Sequence, residues 1–466
     1  MENKQNAPKR RPNPRRRRRS KIKKFMDTYA PLMVIVAVII LFVVFISGSI
    51  KRSNARREQE KQESIAAEQS QAQALLEQEA EANRILAQAE ALAAGCDYEG
   101  AIALLDSFQG DFYSFDNLIA LRDACVMAKD SLVAWSDPSQ IVNLSIHQLV
   151  VDAQKAFSDD RYGSSYPYHY ITTAEFSRIL QELYDNNYIL VDFDDFVETT
   201  ENADGSVSLA LGTLYLPEGK KPLMITQTQA NYYAYMVDSD GDGVADKGGD
   251  GFASKLIVDG TGKLTNEYVD NNGTTVTGSY DIVPMLEDFI ARNPGFSYRG
   301  ARAIISVSGY DGLFGYRAGY EKGVPVDETE RQALTNVIQA LKDKGYRLAC
   351  YTYGNKAYGK LSAADIQADL AKWQQEAAPL MGAIDTFVFA KNSDILDGSG
   401  TYSGDKFNIL SSAGFRYFVG FGTGYCDVSR NQVRIGRVMV TGDNLENNKN
   451  LFNSIFTAED VLDSVR

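Results

Sequence analysis

The residues of this chain best spaced for chemistry form an acidic loop. Asp238-Ser239-Asp240-Gly241-Asp242-Gly243-Val244-Ala245-Asp246 places carboxylates at loop positions 1, 3, 5 and 9 and glycine at 6, the order in which a short loop wraps oxygen atoms around calcium. Position 12 is Gly249, where a helix-flanked loop carries a bidentate Glu, and Asp250 follows one place later. The expectation is an isolated calcium loop with Asp238, Asp240, Asp242, Asp246 and Asp250 as donors. Imidazole is scarce: the two histidines are His147, opening an apolar run, and His169, among Tyr166, Pro167, Tyr168 and Tyr170. The first reads as a hydrogen-bonded core residue and the second as a loop residue. Asp311, in Ser308-Gly309-Tyr310-Asp311-Gly312, and Asp394 follow expected strands; two carboxylates about 5 to 9 Å apart can cut a glycosidic bond. The four cysteines are too few for a disulfide scaffold; Cys96 with Cys125 and Cys350 with Cys426 are the pairings considered, against reduced and buried thiols.

The elements that must position these residues begin after Asp137-Pro138, where short β-rich runs alternate with amphipathic helices. Apolar spacing predicts helices over 173–186, 281–292, 328–344 and 362–381, and strands over 189–193, 222–226, 301–307, 346–352, 386–390, 415–421 and 437–440. Such alternation predicts an α/β fold with a parallel sheet, open or closed into a barrel. A barrel carries its active-site loops at the C-terminal ends of its strands.

Residues 30–46 contain no charge, and the apolar character runs to Ile50. At about 1.5 Å per residue, roughly 20 residues cross a bilayer core. No small-residue cleavage site follows, so a retained anchor is expected. Residues 1–24 hold twelve basic residues against one acid, which keeps that end in the cytoplasm. The run at 15–19 reads as a topology signal in contact with anionic lipid. Residues 1–57 take 16 of the 48 basic and 2 of the 61 acidic residues, leaving a net charge of −27 on the remainder. That exterior repels a polyanion and excludes a nucleic-acid partner.

The organisation expected is a basic tail (1–24), a transmembrane helix (25–50), a helical stalk (51–90), a tetratricopeptide-like hairpin (91–136) and the α/β domain (140–466). The stalk is rich in Ala, Glu, Gln and Arg without Pro or Gly, a helix-forming composition. Its apolar residues keep no clean heptad, so it reads as a solvated helix of about 60 Å rather than a coiled coil.

Residues 140–445 resemble the polysaccharide deacetylase (NodB-like) family. The resemblance rests on Ile146-His147, on Tyr170-Ile171-Thr172-Thr173 before a helix ending at 183–188, on Lys220-Lys221-Pro222-Leu223-Met224-Ile225-Thr226, on Gly345-Tyr346-Arg347-Leu348-Ala349 and on residues 412–418. It implies a distorted (β/α) barrel and hydrolysis of polysaccharide amides on a divalent metal, usually zinc. That chemistry takes an Asp and two His as ligands, a second Asp as base and a further His as acid. The Asp pair falls by alignment at Thr228 and Gln229, and the His-x-x-x-His motif at Tyr351 to Asn355. Three histidines are needed and the chain has two, so zinc is not expected and a pseudoenzyme is.

What stands at these strand ends is aromatic and amide-rich: Gln227, Gln229, Asn231, Tyr232, Tyr233, Tyr310, Tyr351, Tyr353 and Asn355. Tyrosine faces stack on sugar rings while amides exchange hydrogen bonds with hydroxyls, which suits a cleft for cell-wall or capsular glycan; the alternative is a decayed site that the aromatics merely fill. A hydrolase using Asp311 and a scaffold acting through the stalk and hairpin are the other expectations.

Overall fold

The computed structural model describes residues 15–158, 161–238, 246, 249–317, 327–397 and 400–466, with side chains from residue 23 onward. Two compact units divide the chain, Met1–Glu81 and Ala82–Arg466. The first unit holds most of α1 (Arg15–Ala94). Within that helix lies one segment long and apolar enough to cross a membrane, with a mean hydropathy of 3.1 and none of it buried by protein.

In the second unit the last turns of α1 pack with α2 (Tyr98–Asp106) and α3 (Asp116–Asp130) around Ala82, Ile85, Ala89, Leu105, Leu118 and Cys125. Asp97 caps α2, accepting from Gly100 N at 3.0 Å. The helix runs to Ala94, just before Gly95, and its last turns supply the third wall of the hairpin's core. Cys96, Cys125, Cys350 and Cys426 are all free thiols.

The α/β part follows the order β1 (Val142–Ile146), α4 (Thr173–Asp185), β2 (Tyr188–Leu190), β3 (Lys221–Gln227), α5 (Ile282–Arg292), β4 (Ile304–Val307), α6 (Glu328–Asp343), β5 (Arg347–Cys350), α7 (Ala363–Lys372), β6 (Thr386–Val388), α8 (Gly404–Ser412), β7 (Tyr417–Val419), β8 (Cys426–Ser429), β9 (Gln432–Ile435) and β10 (Val438–Val440). These strands make one ten-stranded sheet in the order β8-β9-β7-β6-β5-β4-β3-β1-β10, with β2 also on β3. All neighbours are parallel except β8 and β9. Only Gly436 and Arg437 separate β9, which pairs with β7, from β10, which pairs with β1. Two residues span less than about 10 Å, so the sheet curls until its ends meet through that bend. The result is a mixed α/β architecture on a curled, half-barrel sheet.

One face of the sheet packs on the helices through Leu144, Ile146, Leu223, Ile225, Ile305, Val307, Leu348, Phe387, Phe418, Val438 and Val440. The interior face carries Ile141, Met224, Ile304, Ala349, Val388, Tyr417, Val419, Val433 and Ile435. This split follows the two-residue side-chain period of a strand. The expected helix over 362–381 is broken: a π-turn at Trp373–Ala377 separates α7 from Ala378–Met381, where Pro379 contributes no N–H, and the extra residue shifts the apolar stripe. The strand expected over 189–193 stops at Leu190, because Asp192 caps a turn over Phe193–Asp195.

Candidate glycan-binding face

The backbone singles out one end of the sheet. Of the thirteen non-glycine residues with positive φ among the described residues, eight fall in the loops after β3, β4, β5 and β6: Gln229, Tyr232, Asp311, Phe314, Thr352, Asn355, Lys391 and Asn392. A β-branched residue such as Thr352, at φ 63°, is held there at a cost of about 1–3 kcal/mol, and such strain collects at functional sites. Lys356 N donates to Thr352 Oγ1 at 2.9 Å, which helps fix it.

A chain of rings lies across this end. From the exposed Tyr310 the centroids step 6.3 Å to Tyr233, 5.7 Å to Tyr235, 5.4 Å to Tyr162, 5.3 Å to Tyr166, 5.5 Å to Tyr170 and 5.5 Å to His147. Tyr233 and Tyr235 are stacked within 15°. Tyr233 and Tyr166 are buried, Tyr162, Tyr170 and Tyr235 half-buried. Burial pushes the Tyr235 phenol up to about 12 and those of Tyr170, Tyr233 and Tyr351 upward as well. The wall is therefore neutral, with hydroxyls that donate and accept.

His147, half-buried where β1 ends, has Nδ1 2.7 Å from Thr228 Oγ1. Burial, then His169 and Arg437, push its pKa down to about 4, so near neutral pH it is an uncharged imidazole. His169 is exposed, on the short helix Tyr166–His169.

The other expected site residues separate into two groups. Gln229 reaches the face, donating through Nε2 to Tyr233 Oη at 3.1 Å. Tyr351 is buried beneath it, and Asn355 is half-buried with its Oδ1 enclosed and unpartnered. Gln227, Asn231 and Tyr232 belong instead to the scaffold. Gln227 Nε2 and Tyr232 Oη donate to Asp281 at 2.6 and 2.7 Å, and Leu149 N adds a third bond at 3.0 Å. Asn231 donates to the Ser308 carbonyl at 2.8 Å and accepts from Ser308 N at 3.0 Å, stapling two loops together. Their hydrogen bonds are structural: Gln227, the last residue of β3, and Tyr232, in a left-handed turn at φ 52°, both point to the buried Asp281, and Asn231 ties the loop after β3 to the loop after β4. Tyr353 bends over Gly309, where any side chain would collide with its ring, and donates to Glu376. Asp311 accepts from Arg317 Nε at 2.9 Å and from Ala234 N at 3.1 Å. Asp394 accepts from Leu396 N at 2.9 Å and Tyr402 Oη at 3.2 Å.

Of the acidic loop, Asp240 and Asp242 lie outside the described residues. Asp238 N donates to the Ala234 carbonyl, in the turn that carries Tyr235, and Asp246 N to the Val237 carbonyl. Asp250 is buried and accepts from Tyr166 Oη at 2.5 Å. The loop is thus continuous with the aromatic wall at both ends.

The metal of the deacetylase resemblance finds no matching donors. Thr228, Gln229, Tyr351 and Asn355 offer neither carboxylate nor imidazole, and among the described residues no three His, Cys, Asp or Glu side chains converge. The donor set does not fit zinc.

A cavity of about 1020 Å³ lies at the opposite end of the strands, lined by Asp192, Asp195, Arg299, Arg347, Asp385 and neighbours. Its central cation is already satisfied. Arg347 contacts Asp192 at 2.5 Å, Asp194 at 2.8 Å and Asp385 at 3.4 Å, and packs between Phe193 and Tyr417. The strained loops and ring chain mark the other end.

Sequence reasoning missed Tyr162, Tyr170 and Tyr235 as wall residues. The spacing of Tyr162, Tyr166 and Tyr170 at four-residue intervals was the available signal.

No family model and no curated protein matches the chain. Solved structures that match include a Streptococcus pyogenes deacetylase, PplD, in complex with acetate, at 9% identity and a TM-score of 0.36, covering 70% of this chain and 99% of that one. The BpsB deacetylase domain from Bordetella bronchiseptica matches at 10% identity and a TM-score of 0.29, covering 66% and 99%.

Proposed function

We propose that the chain is a membrane-anchored, extracellular binder of cell-wall or capsular glycan, built on a frame of the polysaccharide deacetylase type and working without that family's metal. The observation that carries the reading is the unbroken ring chain from Tyr310 to His147 over the strained strand-end loops. Neutral phenols, a neutral imidazole and the Gln229 amide suit stacking on sugar faces and hydrogen bonding to hydroxyls. They are poorly suited to activating water. The carboxylate alternative draws no support: both oxygens of Asp311 are engaged by Arg317 and a backbone N–H.

The test is retention of the full-length chain, in detergent micelles, on insoluble peptidoglycan and on purified capsular polysaccharide. Tyr310→Ala removes an exposed ring that the fold does not need, and weakens retention about five- to tenfold, the effect of roughly 1–1.5 kcal/mol of stacking. Unchanged retention by Tyr310→Ala and Gln229→Ala together, or release of acetate or reducing ends from the polymer, overturns the reading.

A further inference from the structure

Where the helical hairpin docks on the α/β part there is a cavity of about 380 Å³, which shares Asp195, Tyr298 and Arg299 with the cavity of about 1020 Å³ at that end of the strands. The docking is made by the turn after α1: Arg299 N donates to the Gly95 carbonyl at 2.8 Å, and Arg299 Nε and Nη2 each stand 3.7 Å from Asp97 and Glu99, at the start of α2. Tyr98 is the first residue of α2, Leu132 follows α3, and the pairing of Val133–Trp135 with Leu214–Leu216 sets Tyr215 opposite Ala134. Tyr98, Leu132, Tyr215 and Tyr298 thus wall the smaller cavity together with Cys96 and Asp195.

One group of this lining is unmet. Asp195, half-buried, closes the turn after β2, its Oδ2 accepting from Asp192 N at 2.8 Å. Its Oδ1 accepts no hydrogen bond among the described residues, yet it is not sealed from solvent. Burial pushes this carboxyl up to about 7, against the Asp192 N–H bond and the nearby Arg299 charge. The bases around it are committed elsewhere: Arg347 to Asp192, Asp194 and Asp385, Lys129 to Glu99 at 2.7 Å, Lys342 to the Met381 carbonyl at 2.7 Å, and Arg299 to Asp97 and Glu99.

A half-buried carboxylate with one oxygen undonated is costly until a cation meets it. Phenol rings beside it favour the same charge, through the negative potential of their faces. We propose that the smaller cavity binds a small primary amine in its ammonium form, whose N–H takes the free oxygen of Asp195 while its apolar stem lies among Tyr98, Tyr215 and Tyr298. An anion would meet Asp97, Glu99 and Asp130 on the same walls. The neighbouring cavity suits a cation less, because Arg347 stands in it. A volume of about 380 Å³ falls at the lower end of small-molecule sites, about 300–1,000 Å³. The proposal does not depend on the glycan reading, which concerns the other end of the sheet.

n-Butylammonium is the probe, titrated above neutral pH into the full-length chain in detergent micelles, with binding followed by ligand-observed NMR against empty micelles and by the rise in Tm. Saturable millimolar binding is expected. n-Butanol, which lacks the charge, and tetramethylammonium, which lacks an N–H, bind at least about fivefold more weakly. Asp195→Asn keeps an acceptor for Asp192 N and weakens n-butylammonium binding about tenfold, through loss of the charge-assisted bond. Tyr215→Ala, at a ring 50% exposed, weakens it about threefold, and Tyr310→Ala leaves it unchanged. If Asp195→Asn does not fold, Tyr215→Ala decides. The proposal is overturned if n-butylammonium shows no saturable binding at millimolar concentrations, if n-butanol or tetramethylammonium binds as well, or if folded Asp195→Asn or Tyr215→Ala binds like the parent.

Discussion

Replacing Arg466 by alanine takes away half of an ion pair closed to water on both sides, with Arg466 4% and Glu175 0% exposed. Arg466 donates to both Glu175 oxygens, Nε at 2.5 Å and Nη2 at 2.8 Å, and to the carbonyls of Pro167 at 2.6 Å and Tyr170 at 2.5 Å. Glu175 also completes the capping box of α4, accepting from Thr172 N at 2.8 Å, and accepts from Asp463 N at 3.0 Å. Without Arg466 the carboxylate stays buried, and breaking such a pair costs about 3–5 kcal/mol. The two backbone donors remain, which places the loss near the lower end, about 3 kcal/mol. That is a large fraction of the roughly 5–15 kcal/mol that holds a domain together. Urea unfolding of the full-length chain in micelles, followed through the buried Trp373 and fitted with a common slope, gives the number. Adding Glu175→Gln to Arg466→Ala removes the stranded charge and recovers about 1–2 kcal/mol. A loss below about 1 kcal/mol in the single variant, or a double variant no better than the single, refutes the argument. Because the braced carbonyls belong to the segment carrying Tyr166 and Tyr170, Arg466→Ala also lowers glycan retention.

His147 has a folded pKa of about 4 against about 6.5 unfolded, so the native state resists a proton that the unfolded chain accepts; stability is lost as pH falls from about 6.5 to 4, by about 3 kcal/mol. Melting curves of His147→Gln, compared with the parent across that range, should lack this share of the acid sensitivity. Asp281 has the opposite sign. Burial raises it to about 6, so its stabilising protonated form is complete below the unfolded value of about 3.9 and is lost as pH rises through 6, again by about 3 kcal/mol; Asp281→Asn should flatten that slope, and an unchanged slope discards the assignment. Calcium should raise the Tm of the full-length chain by an amount set by its concentration over Kd, and Asp240→Asn with Asp242→Asn should abolish the rise; an equal rise in that variant removes the calcium assignment.

The central frame was readable because its signals are redundant. The runs at 222–226, 346–352 and 386–390 are apolar, β-rich and separated by helices with clear 3.6-residue stripes; strand β3 covers the first of them, and β5 and β6 lie within the other two. Elements outside this alternation were not legible. The pairs Val197–Glu201 with Val207–Leu211 and Val133–Trp135 with Leu214–Leu216 form small antiparallel sheets on charged or mixed sequence, as does the three-stranded sheet at 255–278. Their pairing is decided by what they cover rather than by periodicity. At the candidate face the difficulty was direction. Tyr232 and Tyr233 are equivalent in type and adjacent in sequence, yet the left-handed turn at Tyr232, φ 52°, drives its hydroxyl to Asp281 while Tyr233 joins the ring chain.

Arg437 shows the same limit from the other side. In Ile435-Gly436-Arg437-Val438-Met439-Val440 a single cation interrupts an apolar run, and a strand pattern alone assigns it to solvent. Only the pairing of β10 with β1 and of β9 with β7 places it inside a closing bend, where three carbonyls hold the guanidinium and none neutralises it. A charge kept in such a place without a partner is destabilising by itself.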